Sequence, residues 1–212
     1  MANSNPNHLY RTAFLLSLFT IAANLIEGLV SMAIGAQDET LALFGFGVDS
    51  FIEVISAAGI TWMILRIRRH PAAPRSRFEN TALRITGFAF YLLAAGLVLG
   101  ALINIAAARA PESTLGGVVI SLISISVMAG LVAAKRRVGR ALNSAPILAD
   151  ANCTLVCIYM SLVLLASSVL FELTGFGLLD SLGALGLAWF SFREGRESFE
   201  KARGRECECG ES

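Results

Sequence analysis

Asp49 and Glu53 stand four residues apart in LFGFGVDSFIE, and Cys153 and Cys157 stand four apart in LADANCTLVC. On a helix each such pair projects from one face. Two carboxylates and two thiolates compose a four-coordinate donor set of the kind a divalent transition metal accepts. Both pairs fall in apolar, membrane-length stretches, as do Glu27, Asp150 and Asp180, whereas none of the 17 Lys and Arg residues does. An ionised group in hydrocarbon costs on the order of 3 kcal/mol or more, so it persists where it lines a polar path or meets a counter-charge. No basic residue is placed to supply that charge, so a cation, either a metal or a proton, is expected to supply it.

The elements that must position these residues are long apolar helices. At 55% hydrophobic residues and a mean hydropathy of +0.66, the chain is too apolar for a soluble domain. Runs of about 20 apolar residues cross a ~30 Å hydrocarbon core as helices. Six are present: Ala13 to Ile34, Leu41 to Leu65, Ile85 to Ala108, Leu115 to Ala134, Ile147 to Phe171, and Phe176 to Phe192. The expected fold is an all-α membrane protein with six transmembrane helices. A cytoplasmic segment (1–10), a transport region (11–200) and a Cys-containing tail (201–212) divide the chain. The first run carries Asn24 and Glu27 and is too long for the apolar core of a signal peptide.

Lys and Arg concentrate in cytoplasmic loops, which orients the chain. Arg66, Arg68, Arg69, Arg75 and Arg77 flank the second connection, Lys135, Arg136, Arg137 and Arg140 the fourth, and Arg193, Arg196, Lys201, Arg203 and Arg205 the tail. The opposite connections, GAQDET, RAPEST and ELTGFG, hold only Arg109. Both termini are therefore expected in the cytoplasm, with the protein in the cell membrane. The basic loops suit anionic lipid and are not read as a nucleic-acid surface. The sequence holds no nucleophile, base and orienter triad and no phosphate-binding glycine loop, so neither an enzyme nor a nucleotide-driven pump is expected.

A rise of ~1.5 Å per residue converts position into depth. Counted from Leu41, Asp49 lies about 12 Å and Glu53 about 18 Å from the outer boundary. Counted from Ile147 across a ~30 Å core, Cys153 lies about 21 Å and Cys157 about 15 Å from that boundary. Side-by-side packing would set Asp49 opposite Cys157 and Glu53 opposite Cys153.

LALFGFGVDSFIE and LADANCTLVC resemble the paired metal-binding helices of the cation diffusion facilitator family. There a D-x-x-x-D or H-x-x-x-D pair on the second helix faces A-D-x-x-H-x-x-x-D on the fifth. Asp49 and Glu53 match the first pair, while Ala149, Asp150, Cys153 and Cys157 take the A, D, H and final D positions of the second. NLIEGL and GFGLLDSLGALGLAW are similar to the family's first and last helices, so the resemblance spans about residues 10 to 200. It implies a cation-efflux-type bundle working as a homodimer, with divalent metal as substrate, protons as coupling ion through antiport, and no prosthetic cofactor. Two departures qualify it. Cys replaces the fifth-helix His and Asp, which favours a soft metal such as Zn²⁺ or Cd²⁺ and moves proton coupling onto carboxylates or thiols. Residues 193–212 leave no room for the family's cytoplasmic domain, so a short form is expected.

The remaining candidates carry two readings each. Cys153 and Cys157 are ligands or small packing residues. Thr154 offers its hydroxyl to the shell or bonds back to its own helix. Asp150 is a proton relay at the inner mouth or an acid favouring a helix N-terminus. Glu27, one turn from Asn24, lines the exit path or carries protons, and Asp180 reads as structural. Cys207 and Cys209 form a C-x-C that captures metal or is inert. Two other functions stay open: a metal-binding membrane protein or modulator without transport, and an exporter of small organic cations, for which Phe44, Phe46 and Phe51 would supply the aromatic wall.

Overall fold

In a bilayer every backbone polar group needs an internal partner, so apolar runs of this length become helices. The structure, a computed structural model, describes residues 6–69, 77–108, 110–142 and 145–203. It contains six helices: α1 (Pro6–Gln37), α2 (Leu41–Arg69), α3 (Arg77–Ala106), α4 (Leu115–Ala141), α5 (Ala145–Thr174) and α6 (Leu178–Ala202). No strand occurs among the described residues. Five helices are long and apolar enough to cross a membrane. The sixth falls short on composition alone, because REGRESFEKA fills its second half. Arg196 and Glu200 (3.6 Å) and Glu197 and Lys201 (2.7 Å) pair along that half one turn apart, as such spacing favours.

The helices alternate in direction, so both termini share one end with the arginine-rich α2–α3 and α4–α5 connections. We call this the basic end. The short α1–α2, α3–α4 and α5–α6 connections form the opposite rim. Gly175, at φ +67, carries the chain out of α5 with its N–H on Phe171 O (2.7 Å), a left-handed turn that glycine makes without strain.

Packing is strongest within three pairs, α1 with α2, α3 with α6, and α4 with α5. Small residues explain the closeness of two of them. A Cβ added at Gly28 would lie 3.0 Å from Gly47 O, and one at Gly47 would lie 3.0 Å from Gly28 O. The α1 and α2 backbones therefore touch directly, as small residues permit in membranes. Gly87 of α3 and Gly195 of α6 meet the same way, each Cβ position being 3.1 Å from the other's carbonyl oxygen. The main apolar cluster, Leu43, Phe46, Leu97, Met160, Leu164 and Leu187 among its members, joins α2, α3, α5 and α6. Lipid-facing side chains such as Phe19, Leu99, Leu122 and Trp189 stay exposed on the outside of the bundle.

The helices outrun their apolar segments. The sixth, whose short apolar run ends at Phe192, continues through Arg193 to Ala202, in line with its expected extension into the amphipathic end; the fourth, whose run ends at Ala134, continues to Ala141. Interior packing accounts for both. Glu194, Gly195 and Ser198 lie on the buried face of α6, and Lys135, Val138 and Gly139 on that of α4. The expectation that no basic residue reaches the interior is thereby corrected: Lys135 is 1% exposed.

Candidate functional site

Twelve positions on four helices turn polar or ionisable groups into the bundle. On α1 these are Ser17, Asn24 and Ser31, each seven residues from the next and each at most 1% exposed. Heptad spacing keeps them on one face, with Glu27 one turn from Asn24. Asp49, Ser50 and Glu53 come from α2, Ser121 and Ser124 from α4, and Thr154, Cys157 and Ser161 from α5.

Glu53 is the hub. Asn24 Nδ2 donates to its Oε2 at 2.9 Å, and the Cys157 thiol contacts its Oε1. Three helices thus converge on one carboxylate. Cys157 backs onto Met128 and Leu131 of α4, so the thiol stands between an apolar wall and the acid. A second cluster lies one turn toward the rim. Ser50 Oγ bonds to Glu27 Oε1 (3.1 Å) and to Phe46 O, Ser124 also meets the Glu27 carboxylate, and Ser161 Oγ bonds to Ser124 Oγ (3.0 Å) and to Cys157 O (2.8 Å). A continuous hydrogen-bonded line therefore runs from Ser50 through Glu27, Ser124 and Ser161 to the backbone of Cys157.

Several atoms in this region have no hydrogen-bond partner. Asp49 is 3% exposed, and its Oδ1 is unpartnered, as are Asn24 Oδ1 and Glu194 Oε1. A buried unpaired polar atom costs about 1–3 kcal/mol, more when charged. Asp49 and Glu194 lie within electrostatic reach of each other, so two of these unpaired oxygens belong to one group of acids. Among the described residues, no three His, Cys, Asp or Glu side chains close around a single point.

Asp49, Glu53 and Cys157 thus lie in one buried region, but with a different register. Glu53, not Asp49, meets Cys157, one helical turn from the expected pairing. Counting from assumed membrane boundaries fails here because α2 and α5 are 29 and 30 residues long, longer than a ~30 Å core needs, and helices of that length tilt or overrun it. Asn24, Glu27 and Thr154 all face the interior. Thr154 Oγ1 accepts from Lys135 Nζ at 2.9 Å instead of turning to a ligand site. The backbones of Asp150 and Cys153 lie within α5, while their side chains lie outside the described residues, as do Cys207 and Cys209.

Asp180 belongs elsewhere. From the start of α6 it accepts from the backbone N–H groups of Leu41 (2.9 Å) and Ala42 (3.3 Å), capping the N-terminus of α2 from a different helix. Glu172, not singled out in the sequence, does the same for α4: its Oε1 accepts from Thr114 N (2.6 Å) and Thr114 Oγ1 (3.0 Å). The rim is further tied by Thr40 Oγ1 to Ser113 O (3.1 Å) and Glu112 N to Asp38 O (3.0 Å).

Glu194 and Lys135 were missed in the sequence because both lie past the last apolar residue of their runs. A signal existed for Glu194: Asp180, Ala184, Leu187, Ser191, Glu194 and Ser198 recur every three, four or seven residues and form one buried stripe. Glu194 lies within electrostatic reach of both Asp49 and Glu53.

Residues 17–203, the bundle apart from the first turns of α1, match the cation efflux transmembrane domain. No curated protein matches the chain.

Proposed function

The chain belongs to the cation efflux family, and we propose that, as a multi-pass cation transporter of that type, it exports a soft divalent metal, Zn²⁺ or Cd²⁺, from the cytoplasm in exchange for protons. The observation that carries this reading is the convergence of Asn24, Glu53 and Cys157 from three helices beside the unpartnered carboxylate oxygen of Asp49. Asp49, Glu53, Cys153 and Cys157 are the proposed ligands. The thiols select soft cations, and the carboxylates supply the charge that draws a doubly charged ion into low dielectric.

Proton exchange follows from the donor chemistry. A thiol has a reference pKa near ~8.5 and binds metal as thiolate, so a metal arriving at neutral pH displaces a proton. Glu27 and the serines around it provide hydrogen-bonded groups through which protons enter from the rim to reload the site, and Asp150 and Thr154 stand at the opposite mouth, where the displaced proton leaves. Apparent metal affinity should fall as pH drops from about 8 to about 6. The basic end faces the cytoplasm in this proposal, by the bias of Lys and Arg, and the protein resides in the cell membrane as a homodimer. Cys207 and Cys209 are proposed to capture metal at that end.

A carrier of organic cations is disfavoured by the aromatics. Phe46 is packed in the main core and Phe44 is exposed, which removes two of the three rings such a wall would use.

The test is flux into and out of liposomes containing the purified chain, across Zn²⁺, Cd²⁺ and Mn²⁺, with and without an imposed pH gradient. Metal movement against its own gradient, driven by protons moving the other way, is expected. Flux that ignores both the gradient and its collapse by an ionophore would replace the antiporter with a channel; binding without flux would make the chain a metal-binding modulator.

A further inference from the structure

On the outer side of the α3–α6 pair, away from the polar interior, an open groove of about 720 Å³ runs between Tyr91, Ala94 and Leu102 of α3 and Leu185, Ala188 and Phe192 of α6. Every residue lining it is aliphatic or aromatic. Ala94 and Ala188 are buried, while Leu99 and Trp189, also in its wall, project from the bundle. Small residues between projecting ones make the surface concave, the form in which ligand sites are usually built. At this depth the solvent is hydrocarbon, so what fills the groove is an acyl chain or another protein surface.

Both walls lead to an arginine. Arg84 lies seven residues before Tyr91 on α3 and Arg196 seven after Trp189 on α6, spacings that keep each on the groove face of its helix. Both are exposed. The Tyr91 and Phe192 rings, 5.4 Å apart, are level with each other at the groove's basic end, and Arg84 and Arg196 stand about 10 and about 6 Å beyond them along their helices. From Tyr91 to Leu102 the groove itself runs about 16 Å, half of a ~30 Å core and so the depth of one leaflet. Arg196 Nε contacts Glu200 Oε1 at 3.6 Å, but an exposed pair of this kind is weak, and a guanidinium carries four further N–H donors. Glu197 pairs with Lys201 at 2.7 Å, and the exposed Arg193 adds positive charge beside Phe192.

We propose that this groove binds one anionic phospholipid from the leaflet at the basic end: an acyl chain lies along the groove from Tyr91 to Leu102, and the headgroup phosphate rests against Arg84 and Arg196. A one-leaflet apolar channel ending in two guanidinium groups matches a molecule with a tail of that length and an anionic head. Guanidinium groups hold phosphate oxygens through paired N–H donors, and basic residues between helices at the membrane surface favour anionic headgroups. A second copy of the chain fits less well. Docked here about a two-fold axis along the membrane normal, it would repeat the same patch on both sides and set these arginines against their own copies, whereas a phosphate neutralises them.

The experiment uses the chain's two tryptophans. Trp62→Phe leaves Trp189, in the groove, as reporter; Trp189→Phe leaves Trp62, exposed on α2, as control. The full-length variants are placed in phosphatidylcholine vesicles that contain, at one matched mole fraction, either phosphatidylglycerol or phosphatidylcholine brominated midway along its acyl chains, and quenching of tryptophan fluorescence is measured. Brominated phosphatidylglycerol should quench Trp189 with about fivefold higher affinity than brominated phosphatidylcholine, and Trp62 should show a much smaller preference. Replacing Arg84 and Arg196 together by Gln should abolish the preference while both lipids still quench. Ala95→Phe, at an exposed lining position, should obstruct the groove and lower the preference, and it decides the matter if the double arginine variant does not fold. If Trp62→Phe does not fold, the wild type compared with Trp189→Phe gives the same difference. Equal quenching of Trp189 by both lipids, an equal preference at Trp62, or a preference that survives loss of both arginines overturns the inference. Trp189 that neither lipid quenches would mean that a protein surface, such as a second copy, covers the groove, and that too overturns it.

Discussion

The rim and the middle of this bundle use the same residue types to opposite ends. At the rim, Asp180 and Glu172 accept from the backbone N–H groups of α2 and α4 and from Thr114. Their charge completes helix ends that would otherwise carry unpaired donors. In the middle, Asp49 Oδ1 and Glu194 Oε1 have no partner at all, and Glu53 is met by an amide and a thiol. A carboxylate whose oxygens are filled by the fold is part of the fold. A buried carboxylate left open is held ready for something that arrives.

Substitution should separate the two regions cleanly. The largest effect is expected from Asp49→Ala, which removes an uncompensated membrane acid and so relieves a cost of folding while deleting a proposed ligand. Metal flux should be abolished at an undiminished level of folded protein, measured by liposome assay alongside detergent size-exclusion profiles. Unchanged flux would return Asp49 to the structural class.

Asp180→Ala should do the reverse. Loss of the cap leaves two buried N–H groups at the start of α2 unpaired, a destabilisation of about 1–3 kcal/mol, read as a fall in unfolding temperature in detergent. Flux per folded molecule should stay near the wild-type value, and a transport defect without a stability defect would erase the contrast between rim and middle. Glu172→Gln, at an exposed carboxylate, should lower the unfolding temperature by less than Asp180→Ala.

A finer test exchanges donors without changing the pattern. Replacing Cys153 and Cys157 together by His and Asp should retain transport and move preference from Cd²⁺ toward Zn²⁺, iron or Mn²⁺. The same order of metals in both proteins would mean that the thiols only pack. The smallest effect concerns pH: in the wild type, apparent Cd²⁺ affinity should weaken between pH 8 and pH 6, and the dependence should be shallower in that double variant, because the imidazole and carboxylate donors release protons at lower pH than thiols do.

Much of this was legible in the sequence, for identifiable reasons. Six helices follow from apolar run length, and the inward faces of α1 and α2 follow from Asn24, Glu27, Asp49 and Glu53, since polar groups in hydrocarbon must turn inward. The structural reading of Asp180 followed from its shallow position. The register between α2 and α5 did not, because it depends on how far each helix overruns the bilayer and on its tilt, which no count along one chain contains. Lys135 and Glu194 escaped notice because each stands beside arginines past the end of its apolar run, and burial there depends on neighbouring helices that no single run reveals. Glu172 carries no local mark, as its partner Thr114 is 58 residues away.

The glycine crossings carry a mechanical consequence. Where Gly28 meets Gly47 and Gly87 meets Gly195, two backbones lie in contact, and such pairs slide or tilt as single beams more readily than they separate. Each beam bears a share of the polar groups: Asn24, Glu27, Asp49 and Glu53 on α1–α2, Lys135, Thr154 and Cys157 on α4–α5, Glu194 on α3–α6. Any motion of one beam against another that widens a passage to one side also pulls the donors apart. For the site proposed above, grip and passage are then a single coordinate: an opening toward water that parts these helices also loosens the hold on the ion.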